Sequence, residues 1–189
     1  MTEPRKASLE RSTRETKVSV GMNIDGSGDF DVECDIQFLK HMTETFARYA
    51  GFDLVLRAGG DNEHHVIEDT AIAMGEAVKK ALGDAPVERT ASCILPMDDA
   101  LVMVSLDLVD RPYADIDCPD PLYTHFFRSF AMSAGITLHI VQIRGFDEHH
   151  IVEASFKALG KALYGATRPR AALLSTKDAV KMNRCWRKG

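Results

Sequence analysis

Two short runs in this chain concentrate side chains able to hold a metal: HHVIE at 64 to 68 and HHIVE at 149 to 153. Both read His-His-x-x-Glu. On a helix, where successive residues turn by about 100°, positions i and i+4 share a face. His64 can therefore join Glu68, and His149 can join Glu153, in gripping one ion. The neighbouring His65 or His150 points about 100° away, toward a different ion. The spacing favours two ions over one. Imidazole with carboxylate suits Mn, Fe, Zn or Ni, and without thiolate beside these residues a soft or purely structural zinc centre is disfavoured.

The two runs are copies of each other. Sliding the chain by 84 residues lays Val18, Val20, Cys34, His41, Phe46, Ala47, Gly51 and Leu54 over identical residues at 102, 104, 118, 125, 130, 131, 135 and 138. A one-residue slip near Gly59 and Gly60 then lays His64, His65, Glu68, Gly75 and Ala77 over His149, His150, Glu153, Gly160 and Ala162. Six of the seven histidines recur in matched pairs, which chance alignment of Val and Ala does not produce. His41 and His125 occupy equivalent points, so pseudosymmetry predicts two equivalent ligand sets. One is His64, Glu68, His125 and His150; the other is His149, Glu153, His41 and His65. His139 pairs with Val55 and reads as a hydrogen-bonded strand residue, and Asp69 as a helix-dipole residue in a first turn.

The elements that must position these groups also come twice. TKVSVGMNI at 16 to 24 and ALVMVSLDL at 100 to 108 alternate with period two, as half-buried strands do. Turn residues follow (Asp25-Gly26, Asp110-Arg111-Pro112), then second strands at 29 to 36 and 113 to 117, so each first pair is expected to form a hairpin. Helical spacing over 37 to 50 and 122 to 134 stops at Gly51 and Gly135. A third strand follows, and then a second helix over 64 to 82 and 149 to 164, which carries the doublet. The order strand-strand-helix-strand-helix, twice, predicts an α+β fold with two sheets, helices on one side, and pseudo-twofold symmetry. Residues 1–189 read as one domain, with repeats at 15–83 and 99–166 and a basic tail at 167–189.

Composition narrows the function classes. Among 189 residues, 45% are apolar and 27% charged, enough to build a core, and the formal net charge of −5 leaves no basic field for nucleic acid or anionic lipid. No apolar run approaches the length of a membrane span, and the polar first sixteen residues do not read as a secretory signal. A cytoplasmic protein is expected. Cys34, Cys93, Cys118 and Cys185 form no C-x-x-C pair and read as reduced thiols.

The chain closely resembles the imidazoleglycerol-phosphate dehydratase family over nearly its whole length. The resemblance rests on R-x-T-x-E-T at 11 to 16, F-L-x-H-M at 38 to 42, H-H-x-x-E-D at 64 to 69 and MDDALVMVSLDLVDRP at 97 to 112. It continues through H-F-F at 125 to 127, HHIVEASFKA at 149 to 158 and S-T-K at 175 to 177. It implies a duplicated α+β unit, a homo-oligomeric shell of 24 subunits with active sites between subunits, and two Mn²⁺ per site, other divalent metals being admissible. The implied reaction removes water from imidazoleglycerol phosphate, a small phosphorylated imidazole, to give imidazole-acetol phosphate in histidine biosynthesis. Without an adjacent carbonyl, the imidazole ring must act as electron sink, stabilised as imidazolate between the two ions.

The resemblance also assigns roles. Glu15 matches the proton shuttle and Asp98 the aspartate of L-D-E-A, with Asp99 where glutamate is usual. Arg89, Arg111, Lys157, Ser175 and Lys177 match the phosphate contacts, for which cationic donors are suited. Without the family, Glu15 reads as an exposed glutamate at a strand start, and Lys157 equally as an i,i+4 partner of Glu153. The loop before His64 and the segment after Pro112 are shorter than usual, and Thr45 replaces a glutamine. Two rival readings are a non-catalytic metal-binding shell of the same fold and a dinuclear metallohydrolase. A shell needs neither Glu15 nor the lysines, and a metallohydrolase usually draws on bridging aspartates.

Overall fold

The computed structural model describes residues 4 to 172 and residue 174. Each half of the chain builds one four-stranded sheet and two helices. The first contains β1 (Lys6–Ser12), β2 (Thr16–Asn23), β3 (Phe30–Cys34), α1 (Gln37–Ala50), β4 (Asp53–Gly60) and α2 (Glu63–Leu82). The second contains β5 (Thr90–Met97), β6 (Ala100–Asp107), β7 (Tyr113–Ile116), α3 (Pro121–Ala134), β8 (Thr137–Arg144) and α4 (Glu148–Ala166). The duplicated α+β unit is therefore present, with one strand more per repeat than the periodicity shows. The extra strands β1 and β5 are sheet edges; β1 alternates exposed Lys6, Ser8 and Glu10 with half-buried Ala7, Leu9 and Arg11.

The expected hairpins do not form between the strands named. Strand order is β1-β2-β4-β3 and β5-β6-β8-β7, so β4 lies between β2 and β3, and β8 between β6 and β7. The antiparallel hairpins are β1–β2 and β5–β6, while β3 and β7 run parallel to β4 and β8 on the far edge. Turn chemistry tells where a chain reverses; the pairing partner is decided by burial. The central strand β2 places Val18, Val20 and Met22 inward, and β6 places Val102, Val104 and Leu106 inward.

Among the described residues, helices cover only that inward face of each sheet. α2 lies on β1 and β2, α4 on β5 and β6, and the two halves meet where α2 packs on α3 and α1 on α4. The result is a layer of four helices between two sheets. Its centre is aromatic: Phe46 of the first half lies edge-on to Phe130 of the second at 6.0 Å, and Phe156 contacts Phe126 and Phe127 at 4.9 and 4.7 Å. Gly75 of α2 and its copy Gly160 of α4 permit this closeness. A Cβ on Gly75 would stand 2.6 Å from the Phe130 carbonyl oxygen, and one on Gly160 2.9 Å from the Phe46 carbonyl oxygen. Each helix pair runs the same way, which brings their N-terminal turns together.

Candidate metal centre and active site

Both doublets begin at the second residue of a helix, because a polar residue just upstream caps the end. Asn62 accepts from the His64 N–H at 2.8 Å, and Asp147 from the His149 N–H at 2.9 Å. The i and i+4 residues then share a face, as the spacing predicts. His64 Nε2 lies 3.8 Å from Glu68 Oε2, and His125 of the neighbouring α3 brings Nε2 to 3.2 Å from Glu68 Oε1. The two imidazoles stack with ring centroids 4.9 Å apart. Ligand atoms of His64, Glu68 and His125 all fall within 4.8 Å of one another.

This trio fits a cation. The His125 Nε2 is shut off from solvent and has no hydrogen-bond partner among the described residues, although the Glu68 carboxylate lies 3.2 Å away. A buried ring nitrogen left unpaired costs about 1–3 kcal/mol. Two imidazoles and a carboxylate converging without a shared proton are the donors a borderline divalent ion takes.

The copy in the other half is related but not identical. His41 Nε2 and His149 Nε2 lie 3.6 and 3.4 Å from the same oxygen, Glu153 Oε2. The other oxygen, Oε1, is held by Lys157 Nζ at 2.8 Å. Glu153 is buried, which by itself raises its pKa; the Lys157 hydrogen bond and charge, with His41 and His149, more than offset this and hold it below the ordinary value. Lys157 is thus the i,i+4 partner of Glu153. Phe38 links the trios, touching the His149 ring at 4.9 Å and the Tyr123 ring, half a turn before His125, at 5.1 Å.

The fourth member expected of each set stands apart within the chain. His65 Nδ1 meets Asp61 Oδ1 at 3.0 Å and Glu15 Oε2 at 3.7 Å. The Asp61 hydrogen bond, with the Glu15 charge, raises the imidazole pKa. His150 Nδ1 meets Asp99 Oδ1 at 2.5 Å, and its Nε2 lies 3.4 Å from Asp98 Oδ2. The Phe146 N–H, then His150 and the Asp147 N–H, hold the Asp99 carboxyl at about 2. Sequence patterns alone do not single out Asp61. For Asp99 a signal existed: the 84-residue slide places it opposite Glu15.

Of the phosphate candidates, Lys157 lies beside the His149 trio through Glu153, whereas Arg89 and Arg111 lie away from both trios. Arg89, with a positive φ of 71°, is bound to Asp107 through Nε at 2.6 Å and Nη2 at 2.8 Å. Its backbone N–H donates to the Ala166 carbonyl at the C-terminal end of α4, whereas His149 stands at the N-terminal end. Arg111 is exposed at the same end of the sheet as Arg89, its carbonyl accepting from Thr137 Oγ1 at 3.0 Å. Ser175 and Lys177 lie outside the described residues. His139, expected to be hydrogen-bonded, has its nearest carboxylate, Asp115, at 3.8 Å, beyond hydrogen-bond reach.

Comparison with known proteins bears on the same residues. The family model for imidazoleglycerol-phosphate dehydratase matches residues 34–163. The curated imidazoleglycerol-phosphate dehydratase of Desulfitobacterium hafniense is 44% identical, over 94% of this chain and all of that one. That of Saccharolobus solfataricus is also 44% identical, over 87% and 92%. Among solved structures, IGPD from Pyrococcus furiosus superposes with a TM-score of 0.81 at 37% identity, over 91% of this chain and 100% of that chain. Imidazoleglycerol-phosphate dehydratase from Staphylococcus aureus gives 0.79 at 29% identity, over 87% and 99%. The doubled sheet-and-helix unit, the paired histidine trios and these matches over most of the chain agree: it belongs to the imidazoleglycerol-phosphate dehydratase family of hydro-lyases.

Proposed function

We propose that this chain removes water from imidazoleglycerol phosphate to give imidazole-acetol phosphate in histidine biosynthesis, in the cytoplasm, using two Mn²⁺ per active site. The observation that carries the metal-dependent reading is the trio of His64, Glu68 and His125, with a buried ring nitrogen that nothing among the described residues satisfies. When bound, two such ions supply the Lewis acidity that stabilises the imidazole ring in its deprotonated form, making the ring the electron sink. His64, Glu68 and His125 would hold one ion, and His41, His149 and Glu153 the other.

The remaining chemistry falls to the chain's own groups. The C3 hydroxyl leaves as water after gaining a proton, C2 loses a proton, and the enol ketonises, so a single group that gives one proton and takes the other can serve both steps. Its exposure and its 3.7 Å distance from the His65 imidazole support Glu15 in this role. Asp98, 3.4 Å from His150 Nε2, would orient that ring. Arg89, Arg111, Lys157, Ser175 and Lys177 would bind the phosphate. Arg89 Nη1 donates to the Leu174 carbonyl at 3.0 Å, which holds the chain just before Ser175 beside it.

Distances within one chain support active sites shared between copies, as a 24-subunit shell supplies. Arg89 and the His149 trio sit at opposite ends of the 19-residue α4, about 28 Å long at 1.5 Å per residue. A small substrate cannot bridge them. His65 and His150, whose ring nitrogens meet Asp61 and Asp99, would complete a neighbour's trios. Metal analysis of the purified chain, with an assay for ketone from imidazoleglycerol phosphate, tests the reading. Bound Mn²⁺ without ketone, or ketone formed after complete removal of metal, would overturn it.

A further inference from the structure

The buried carboxylate of Asp69 has no part in the chemistry above. It follows Glu68 on α2 and is 8% exposed, so it does not serve as a solvated helix-dipole residue. Its Oδ1 accepts from Arg11 Nε at 2.8 Å, and its Oδ2 accepts from the Thr16 hydroxyl. Because an ionised carboxylate only accepts, each donor in the chain behind it has a set direction. Thr16 donates to Asp69, Thr13 donates to Thr16 Oγ1 at 3.0 Å, and Thr13 Oγ1 is left to accept the N–H groups of Glu15 at 3.1 Å and Thr16 at 2.9 Å. On the other side, the Glu15 carbonyl accepts from the Asp61 N–H at 3.0 Å. The turn that carries Glu15 is thereby tied to the helix that carries His64, His65 and Glu68.

The duplication supplies an internal control. In the second half, Leu95, Met97, Ala100 and Ala154 stand where the first half has Arg11, Thr13, Thr16 and Asp69. The same strands meet the same helix there through packed apolar side chains, with Ala100 1% and Ala154 0% exposed. Joining these elements therefore needs no charge, and apolar replacement of a buried ionic cluster is often neutral or stabilising. The joints differ in what the turn presents. The second offers Asp99, held by its own bonds from the Phe146 and Asp147 N–H groups and by His150; the first offers Glu15, whose carboxylate must stay free to move a proton.

We propose that Asp69 is a positioning residue for Glu15, fixing the backbone at 13 to 16 so that the carboxylate is held against the His65 imidazole. The inference rests on Glu15 as the proton carrier. Misplacing a reacting group by about 1 Å can cost about 100-fold in rate. In the full-length metal-loaded protein, Asp69→Asn is expected to lower kcat by about 10- to 100-fold, leaving KM and bound metal near their original values. In a Glu15→Gln background the same change should lower kcat no further, because groups that act as one unit are not additive. If Glu15→Gln alone keeps full kcat, the assignment of Glu15 fails and takes this inference with it. If Glu15→Gln is inactivating but Asp69→Asn costs the same factor in both backgrounds, or loses metal in step with kcat, the positioning role is overturned while Glu15 stands. A second variant copies the apolar joint: Arg11→Leu, Thr16→Ala and Asp69→Ala together should keep the thermal midpoint and still lose kcat. Full activity in that folded variant would also overturn the proposal.

Discussion

Replacing Lys157 by methionine separates a structural ion pair from a metal site, because Glu153 is asked to serve both. The pair is well buried: side-chain exposure is 14% for Lys157 and 8% for Glu153, with Nζ 2.8 Å from Oε1. Breaking a buried pair by removing one partner costs about 3–5 kcal/mol. Because neither group is wholly buried, we take about 2–3 kcal/mol. At about 2–4 °C per kcal/mol for a chain of this size, the midpoint of metal-free Lys157→Met should fall by roughly 4–12 °C. A divalent ion held by His41, His149 and Glu153 would compensate the stranded carboxylate, so the loss should shrink by at least about half once Mn²⁺ is bound. The assay is thermal unfolding followed by circular dichroism, on wild type and variant, chelator-treated and reloaded. An unchanged midpoint in the metal-free variant would refute the energetic reading of the pair. An equal loss with and without Mn²⁺ would refute metal binding by that trio.

Two further outcomes follow from packing and charge. Gly75→Ala should destabilise by about 1–3 kcal/mol, since its Cβ would lie 2.6 Å from the Phe130 carbonyl oxygen, and Gly160→Ala should follow by the same logic; a wild-type urea midpoint in either variant would mean that the helix pairs yield freely. The carboxyls of Asp25, bonded to Arg5, and Asp53, bonded first to the Ser27 N–H, are held below their ordinary value, and Asp99 at about 2. Depressed values favour the fold when ionised, so this stability is full above the ordinary value of about 4 and is lost as pH falls below it, for Asp99 toward about 2. Asp25→Asn with Asp53→Asn should flatten that acid limb of the urea midpoint, and an equally steep limb would remove these groups from the account.

Much of the site is legible in the sequence because it is local. The two-His-and-Glu face of each doublet follows from helical geometry, and the caps Asn62 and Asp147 place it in a first turn. The duplication requires two equivalent sets, but that His125 joins His64 and His41 joins His149 is decided by α2 packing on α3 and α1 on α4. The role of Asp69 is hidden because an acidic residue early in a helix has an ordinary explanation in the helix dipole; its real partners, Arg11 and Thr16, lie more than fifty residues away in sequence. Lys157 admits two readings that only its distance to Glu153 separates, since i,i+4 spacing permits an ion pair without requiring one.

The order of residues determined the doubled unit, the helix limits near Gly51 and Gly135, and which side chains could share an ion, because periodicity and capping act over a few residues. Tertiary structure alone decided that β4 and β8 enter the middle of their sheets, that β1 and β5 close the edges, and that Arg89 lies a helix length from His149. Those outcomes depend on which apolar faces bury one another across long stretches of chain. A local pattern specifies that a face is apolar; only the packed whole specifies what it meets.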